Sequence, residues 1–151
     1  MSPLRVVIDS NIVDALFHDP DTMAIVTRLQ RGAAIRLLIT HRQEDQLARA
    51  PHHIRKTLKL LNPATAVMSG GVRDAATDKQ LKQGGNQSSF RHWADTLIAL
   101  TAVSRVDVFV TSDPDLMNRA KLEVEKGRLK LKVWNYEEFL RQVKMLDALR
   151  S

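Results

Sequence analysis

Leu4-Arg5-Val6-Val7-Ile8-Asp9-Ser10-Asn11 follows the first three residues and carries the strongest sign of the fold class. Leu4 to Ile8 is apolar apart from Arg5, and the run stops at Asp9. An apolar run without alternation fits a strand covered on both faces, the setting of a parallel sheet between layers of helices. A short helix over about Asn11 to Phe17 is expected next. A second follows with Asp21 as its N-cap, Ile25, Val26 and Leu29 on one side, and Gly32 at its end.

Ile35 to Ile39 repeats the strand signal. Thr40 and Gln43 have the spacing of a capping box, so a helix is expected from about His41 until Pro51 interrupts it. A basic helix then covers roughly His52 to Leu61. Ser69 to Ser89 is rich in Gly, Gln, Asp, Lys and Ser, with glycine pairs near both ends, and reads as a loop or loosely held helix. A helix from about Phe90 to Ser104 leads into a strand at Val106 to Val110. The remainder reads as a helix over about Pro114 to Glu125, a strand at Lys130 to Trp134, and a terminal helix begun by Asn135 and Glu138 and carrying Phe139, Leu140, Val143 and Leu146. Strands and helices alternate throughout, so the expected class is α/β, a mostly parallel central sheet flanked by helices on both faces.

The chain has 151 residues, 44% of them hydrophobic, enough for one compact domain over residues 1–151 and little beyond it. It contains no cysteine, which excludes disulfides, thiolate metal sites and cysteine nucleophiles. Met1 to Ile8 is too short for a signal peptide and no run is long enough to span a membrane, so a cytoplasmic protein is expected. Twenty-three Lys and Arg against 17 Asp and Glu give a net charge of +6. That surplus favours polyanions such as nucleic acid, though many basic proteins bind none.

The acids carry the sharper signal. Asp9 follows one buried strand directly, and Asp113 follows another after Thr111 and Ser112. In open parallel sheets, ligands bind beyond the carboxyl ends of the strands, where both should project. Asp is also common as a helix cap after a strand, and taken singly either residue reads equally well that way. Asp95 shares a helical face with Ile98, Ala99 and Ala102, which puts a carboxylate on an apolar stripe. Burying it demands a cation, a proton or several donors, with a neighbouring arginine as the ordinary alternative. Glu44 repeats the pattern with Leu47 and Ala48. Four carboxylates in one crevice repel strongly unless cations join them, and oxygen ligands select hard ions, Mg²⁺ or Mn²⁺. Ser10, Asn11, Thr111 and Ser112 are placed to orient those carboxylates or their waters.

With these residues in view the sequence resembles the PIN-domain nucleases, particularly the VapC-like toxin ribonucleases of toxin–antitoxin pairs. The matching pieces are Val7-Ile8-Asp9-Ser10-Asn11, Glu44, Ala94-Asp95-Thr96-Leu97-Ile98-Ala99, Val110-Thr111-Ser112-Asp113, and the ending from Trp134 to Leu140. The likeness spans nearly the whole chain. It implies a PIN-like three-layer sandwich and Mg²⁺- or Mn²⁺-dependent endonucleolytic cleavage of RNA by activated water, leaving a 5′ phosphate. Asp9, Glu44, Asp95 and Asp113 are then both metal ligands and catalytic residues. A homodimer and a cognate antitoxin are further implications. Asp45 competes with Glu44 for the second position, and Asp115 with Asp113 for the fourth. A haloacid-dehalogenase-like phosphatase also places Asp after its first strand but needs another two residues later, where this chain has Asn11. A catalytically inactive RNA-binding domain on the same fold, and a structural protein whose acids only cap helices, are the competing readings.

His52, His53, Arg55, Lys56 and Lys59 crowd one helix, while Arg73, Lys79, Lys82, Arg91 and His92 frame the glycine-rich segment. Both groups could hold RNA phosphates, or simply form solvated faces. Aromatic residues make up 5% of the chain, too few for a stacking platform, and Trp93 and Trp134 read as core.

Overall fold

The computed structural model describes residues 2–40, 43, 47–66, 96–101 and 105–150. Glu44, Asp45, Asp95, Trp93 and the whole of Ser69 to Ser89 lie outside these. In chain order the elements are β1 (Leu4–Ile8), α1 (Ser10–Phe17), α2 (Pro20–Arg31), β2 (Ile35–Thr40), α3 (His52–Leu61), β3 (Ala64–Ala66), β4 (Val108–Val110), α4 (Pro114–Glu125), β5 (Lys132–Trp134) and α5 (Tyr136–Arg150). Residues 96–101 are also helical, as are Gln43, Leu47 and Ala48.

The sheet has the order β3-β2-β1-β4-β5, and every neighbouring pair is parallel. Alternate residues of the central strands divide the core in two. Val6, Ile8, Leu37, Ile39, Val108 and Val110 pack with α1, α2, α3 and α5 on one face. Val7, Leu38 and Phe109 pack with Leu97, Leu100 and α4 on the other. This is the three-layer α/β arrangement expected from mainly apolar strands without alternation. The chain moves outward from β1 to β2 and β3, then crosses to β4 and β5 on the far side of β1. The helices that connect strands within the two halves, α1 to α3 and α4, lie on opposite faces, α5 returns to the face of α1 to α3, and the strand order reverses at the gap between β1 and β4.

Several local expectations are corrected. α2 is capped by Asp19 rather than Asp21: Pro20 occupies the first helical position, and Asp19 accepts from Thr22 N at 3.3 Å and Thr22 Oγ1 at 2.6 Å. Gly32 does end α2, but with φ −80°, and the left-handed turn falls on Ala33 at φ +58°. β3 escapes the sequence pattern because three small residues make no apolar run. The stripe on residues 96–101 is carried by fully buried Leu97 and Leu100, while Ile98 and Ala99, expected to share a face with Asp95, are half-buried. Near Glu44 the buried pair is Gln43 and Leu47, and Ala48 is exposed. Trp134 is half-buried against the core edge rather than enclosed.

Candidate functional site

β1 and β4 run side by side, with Asp9 N donating to Val110 O at 2.9 Å, so both strands deliver their next residues to the same edge of the sheet. From β1 comes Asp9; from β4 come Thr111, Ser112 and Asp113. Asp9 is the N-cap of α1 and Asp113 the N-cap of α4, so the ordinary capping reading holds for both. Capping accounts for only part of what they do.

Asp9 Oδ1 accepts from Ser10 N at 2.8 Å, and Oδ2 accepts from Thr111 Oγ1 at 2.8 Å and Asn11 Nδ2 at 3.1 Å. Thr111 Oγ1 in turn accepts from Asp113 N at 3.1 Å, which ties the two acid-bearing turns through one hydroxyl. Asn11 Oδ1 accepts from Ser112 N at 3.1 Å, a second tie across the same gap. Thr111 and Asn11 thus orient Asp9 through their side chains, whereas Ser10 and Ser112 contribute backbone N–H groups. Ser10 Oγ is buried without a hydrogen-bond partner among the described residues.

Asp9 is 8% exposed. Burial pushes its carboxyl above the ordinary carboxylate range, and the charge of Asp113 pushes the same way. The donors Thr111, Ser10 N and Asn11 pull against that rise. Asp113 is the acid of β4's turn whose charge Asp9 feels; Asp115 is exposed and its backbone N–H serves as a donor to Asp113 Oδ1 at 3.0 Å. Leu116 N donates to the same oxygen at 3.3 Å. Asp113 Oδ2 accepts nothing among the described residues. A carboxylate offers about four lone-pair sites, of which Asp9 uses three.

Among the described residues, the positions left without a donor are therefore one on Asp9 and Oδ2 of Asp113, whose charge acts on Asp9. This donor chemistry fits a hard divalent cation. Two carboxylates are half of the expected set. Among the described residues no three His, Asp or Glu side chains gather to hold a metal, and Glu44, Asp45 and Asp95 fall outside them.

Gln43 is the site neighbour that the sequence disclosed only in part. Its capping box with Thr40 is present in both directions, Gln43 N donating to Thr40 Oγ1 at 3.3 Å and Thr40 N to Gln43 Oε1 at 2.8 Å. Beyond the box, Gln43 Nε2 donates to Ile8 O at 2.6 Å, the carbonyl immediately before Asp9. This fully buried amide fastens the end of β2 to the end of β1. Gln at the third helical position was the available signal; its reach to β1 depends on tertiary packing.

Beside Asp9, an open pocket of about 360 Å³ is lined by Ser10, Asn11, Asp14, Leu47, His53 and Ile54, among others. No protein-family model, curated protein or solved structure matches the chain. No helix among the described residues is long and apolar enough to cross a membrane.

Proposed function

We propose that the protein is a Mg²⁺- or Mn²⁺-dependent endoribonuclease of the PIN-domain type, acting in the cytoplasm as a homodimer and as the toxin of a toxin–antitoxin pair. The observation that carries this reading is the buried Asp9 carboxylate, held within electrostatic reach of Asp113 where β1 and β4 diverge in winding. Asp9 and Asp113 would hold the ion, and Glu44 and Asp95 are proposed to complete its ligand set. When bound, such an ion polarises a phosphate oxygen and lowers the pKa of a water. Thr111 and Asn11 keep Asp9 Oδ2 fixed in direction, while the cap bonds of Asp113 fall on Oδ1 and leave Oδ2 without a donor among the described residues. No histidine or serine nucleophile is needed.

The test is incubation of the purified protein with mixed RNAs and Mg²⁺ or Mn²⁺, beside Asp9→Asn and Asp95→Asn. Cleavage that chelator and either substitution abolish is expected. Undiminished cleavage by Asp9→Asn would falsify the assignment. A catalytically inactive RNA-binding domain is the second reading, favoured by the capping bonds that already employ both acids. It predicts RNA binding without cleavage and no thermal stabilisation by divalent ions, whereas a ligand that binds only the folded state raises stability.

A further inference from the structure

We infer that the outer face of α3 is a track for the phosphodiester backbone of single-stranded RNA leading to the Asp9 edge; this rests on the ribonuclease reading. The helix reads His52-His53-Ile54-Arg55-Lys56-Thr57-Leu58-Lys59-Leu60-Leu61 and contains no acid. Ile54, Thr57 and Leu61 are its buried residues. His52, Arg55, Lys56 and Lys59 follow at offsets of three, four and seven, a single helical stripe on the opposite side. All four are exposed.

A stripe of cations on a helix is ordinarily a solvated face. Two features separate this one. It borders a groove of about 660 Å³ whose wall includes the apolar side chains of Ile39 and Leu58, and no acid lines that groove among the described residues. Arg55, Lys56 and Lys59 all border that groove, and none of them has an ion-pair partner among the described residues, a state they share with other exposed lysines such as Lys121 and Lys126; what sets them apart is that they share one concavity. Three cations around a concavity that no acid lines among the described residues make a local positive field, and a polyanion gains by releasing its counterions there.

The direction of the track follows from the same helix. His53 and Ile54, next to His52 in sequence, line the pocket that also contains Ser10 and Asn11, the two residues after Asp9. A strand lying along the stripe and passing over the first turn of α3 therefore arrives at the start of α1, beside Ser10 and Asn11, in a pocket that Asp14 also lines. No Phe, Tyr or Trp lines the groove among the described residues, so the contacts proposed are to phosphate and ribose and are indifferent to base sequence.

The experiment separates binding from cleavage. In an Asp9→Asn background, binding of a fluorescein-labelled unstructured RNA is followed by anisotropy over a range of KCl concentrations. Each lost phosphate contact lowers the slope of log K against log[KCl] by about 0.7 for single strands, so Arg55→Gln/Lys56→Gln/Lys59→Gln should flatten it by about 2 and weaken binding at least ~10-fold at low salt. A control, Lys121→Gln/Lys126→Gln/Lys130→Gln, removes the same charge from exposed positions at and beyond the far end of α4 and should leave the slope unchanged. Equal slopes in the groove variant and its parent overturn the track, as do equal losses in both triple variants. So does a groove variant that loses binding to polyglutamate but not to RNA, which would mark the face as one for an acidic protein. An RNA track without cleavage by the unmodified protein would instead sink the ribonuclease reading alone.

Discussion

Asp9 and Asp19 do the same local work ten residues apart, each capping a helix with a carboxylate oxygen, yet their electrostatics run in opposite directions. Asp19 is half-buried and accepts from Thr22 Oγ1, Thr22 N and Tyr136 OH, and these donors hold its carboxyl below the ordinary carboxylate range. Asp9 has as many donors, but burial and Asp113 outweigh them and its carboxyl is raised. The difference lies in the sheet. Asp19 sits in the short connection between α1 and α2, where it locks Tyr136 of the terminal helix to the start of α2. Asp9 sits at the end of the central strand, where a second strand brings another acid toward it. A cap alone explains the first carboxylate and leaves the second with an unrelieved charge.

Removing one of these two charges at a time should have the greatest consequence for activity. Asp9→Asn should lower RNA cleavage by about 10³-fold, roughly 4 kcal/mol of barrier, while Asp19→Asn should change it less than about twofold. Asn caps helices nearly as well as Asp, so neither substitution should unfold its helix. Parallel initial-rate measurements decide the matter. Comparable losses in both variants would mean that cleavage responds to helix integrity rather than to a site. The next effect is on the buried amide that ties the strand ends. Gln43→Ala leaves Ile8 O and Thr40 N without their partner and should cost about 2–3 kcal/mol in urea unfolding. A cost below ~0.5 kcal/mol would show that water or rearrangement replaces those bonds.

A matched pair of threonines sharpens the contrast further. Thr111→Val and Thr22→Val each remove a fully buried or nearly buried hydroxyl from an Asp cap, and each should cost about 1–2 kcal/mol of stability. Only the first should weaken Mn²⁺ binding, by about 10-fold or more, because ligand-orienting contacts commonly tune metal affinity on that scale. The check is the rise in Tm with added Mn²⁺. An equal rise in both variants would detach Thr111 from any ion site.

These particular residues also show what sequence can disclose. β1, α3 and α4 have the expected bounds because an apolar run broken only by Arg5, a proline and an Asp-Pro start are local signals. The placement of Asp9 and Asp113 at strand ends was legible for the same reason, and so were Thr111 and Asn11 as their supports. The capping of α2 was misplaced by two residues because Asp19 and Asp21 offer the same side chain; Pro20 at the first helical position fixes the choice. Which residues of 96–101 face the core was not legible from offsets alone. Leu97 and Leu100 compete with Ile98 and Ala99 for that face, and the sheet's Val7, Leu38 and Phe109 decide between them. The reach of Gln43 to Ile8 and the raised proton affinity of Asp9 both require knowing that β2 and β4 flank β1.

The smallest expected effect concerns pH. Asp19 has its carboxyl lowered on folding, so its contribution is present above the ordinary carboxylate pKa of about 4 and is lost as pH falls through the lowered value. Asp19→Ala should therefore cost about 1 kcal/mol near neutrality, discounted by solvent screening at a half-exposed position, and progressively less below about pH 4. Asp9 reverses the sign. Its raised carboxyl makes the ionised form the costly one, so in chelator the protein should lose stability relative to Asp9→Asn as pH rises through that raised value. Urea melts of the three proteins from pH 3 to 8 read both slopes together. Parallel slopes would mean that the two carboxylates share one environment, and that the sheet edge places no special demand on Asp9.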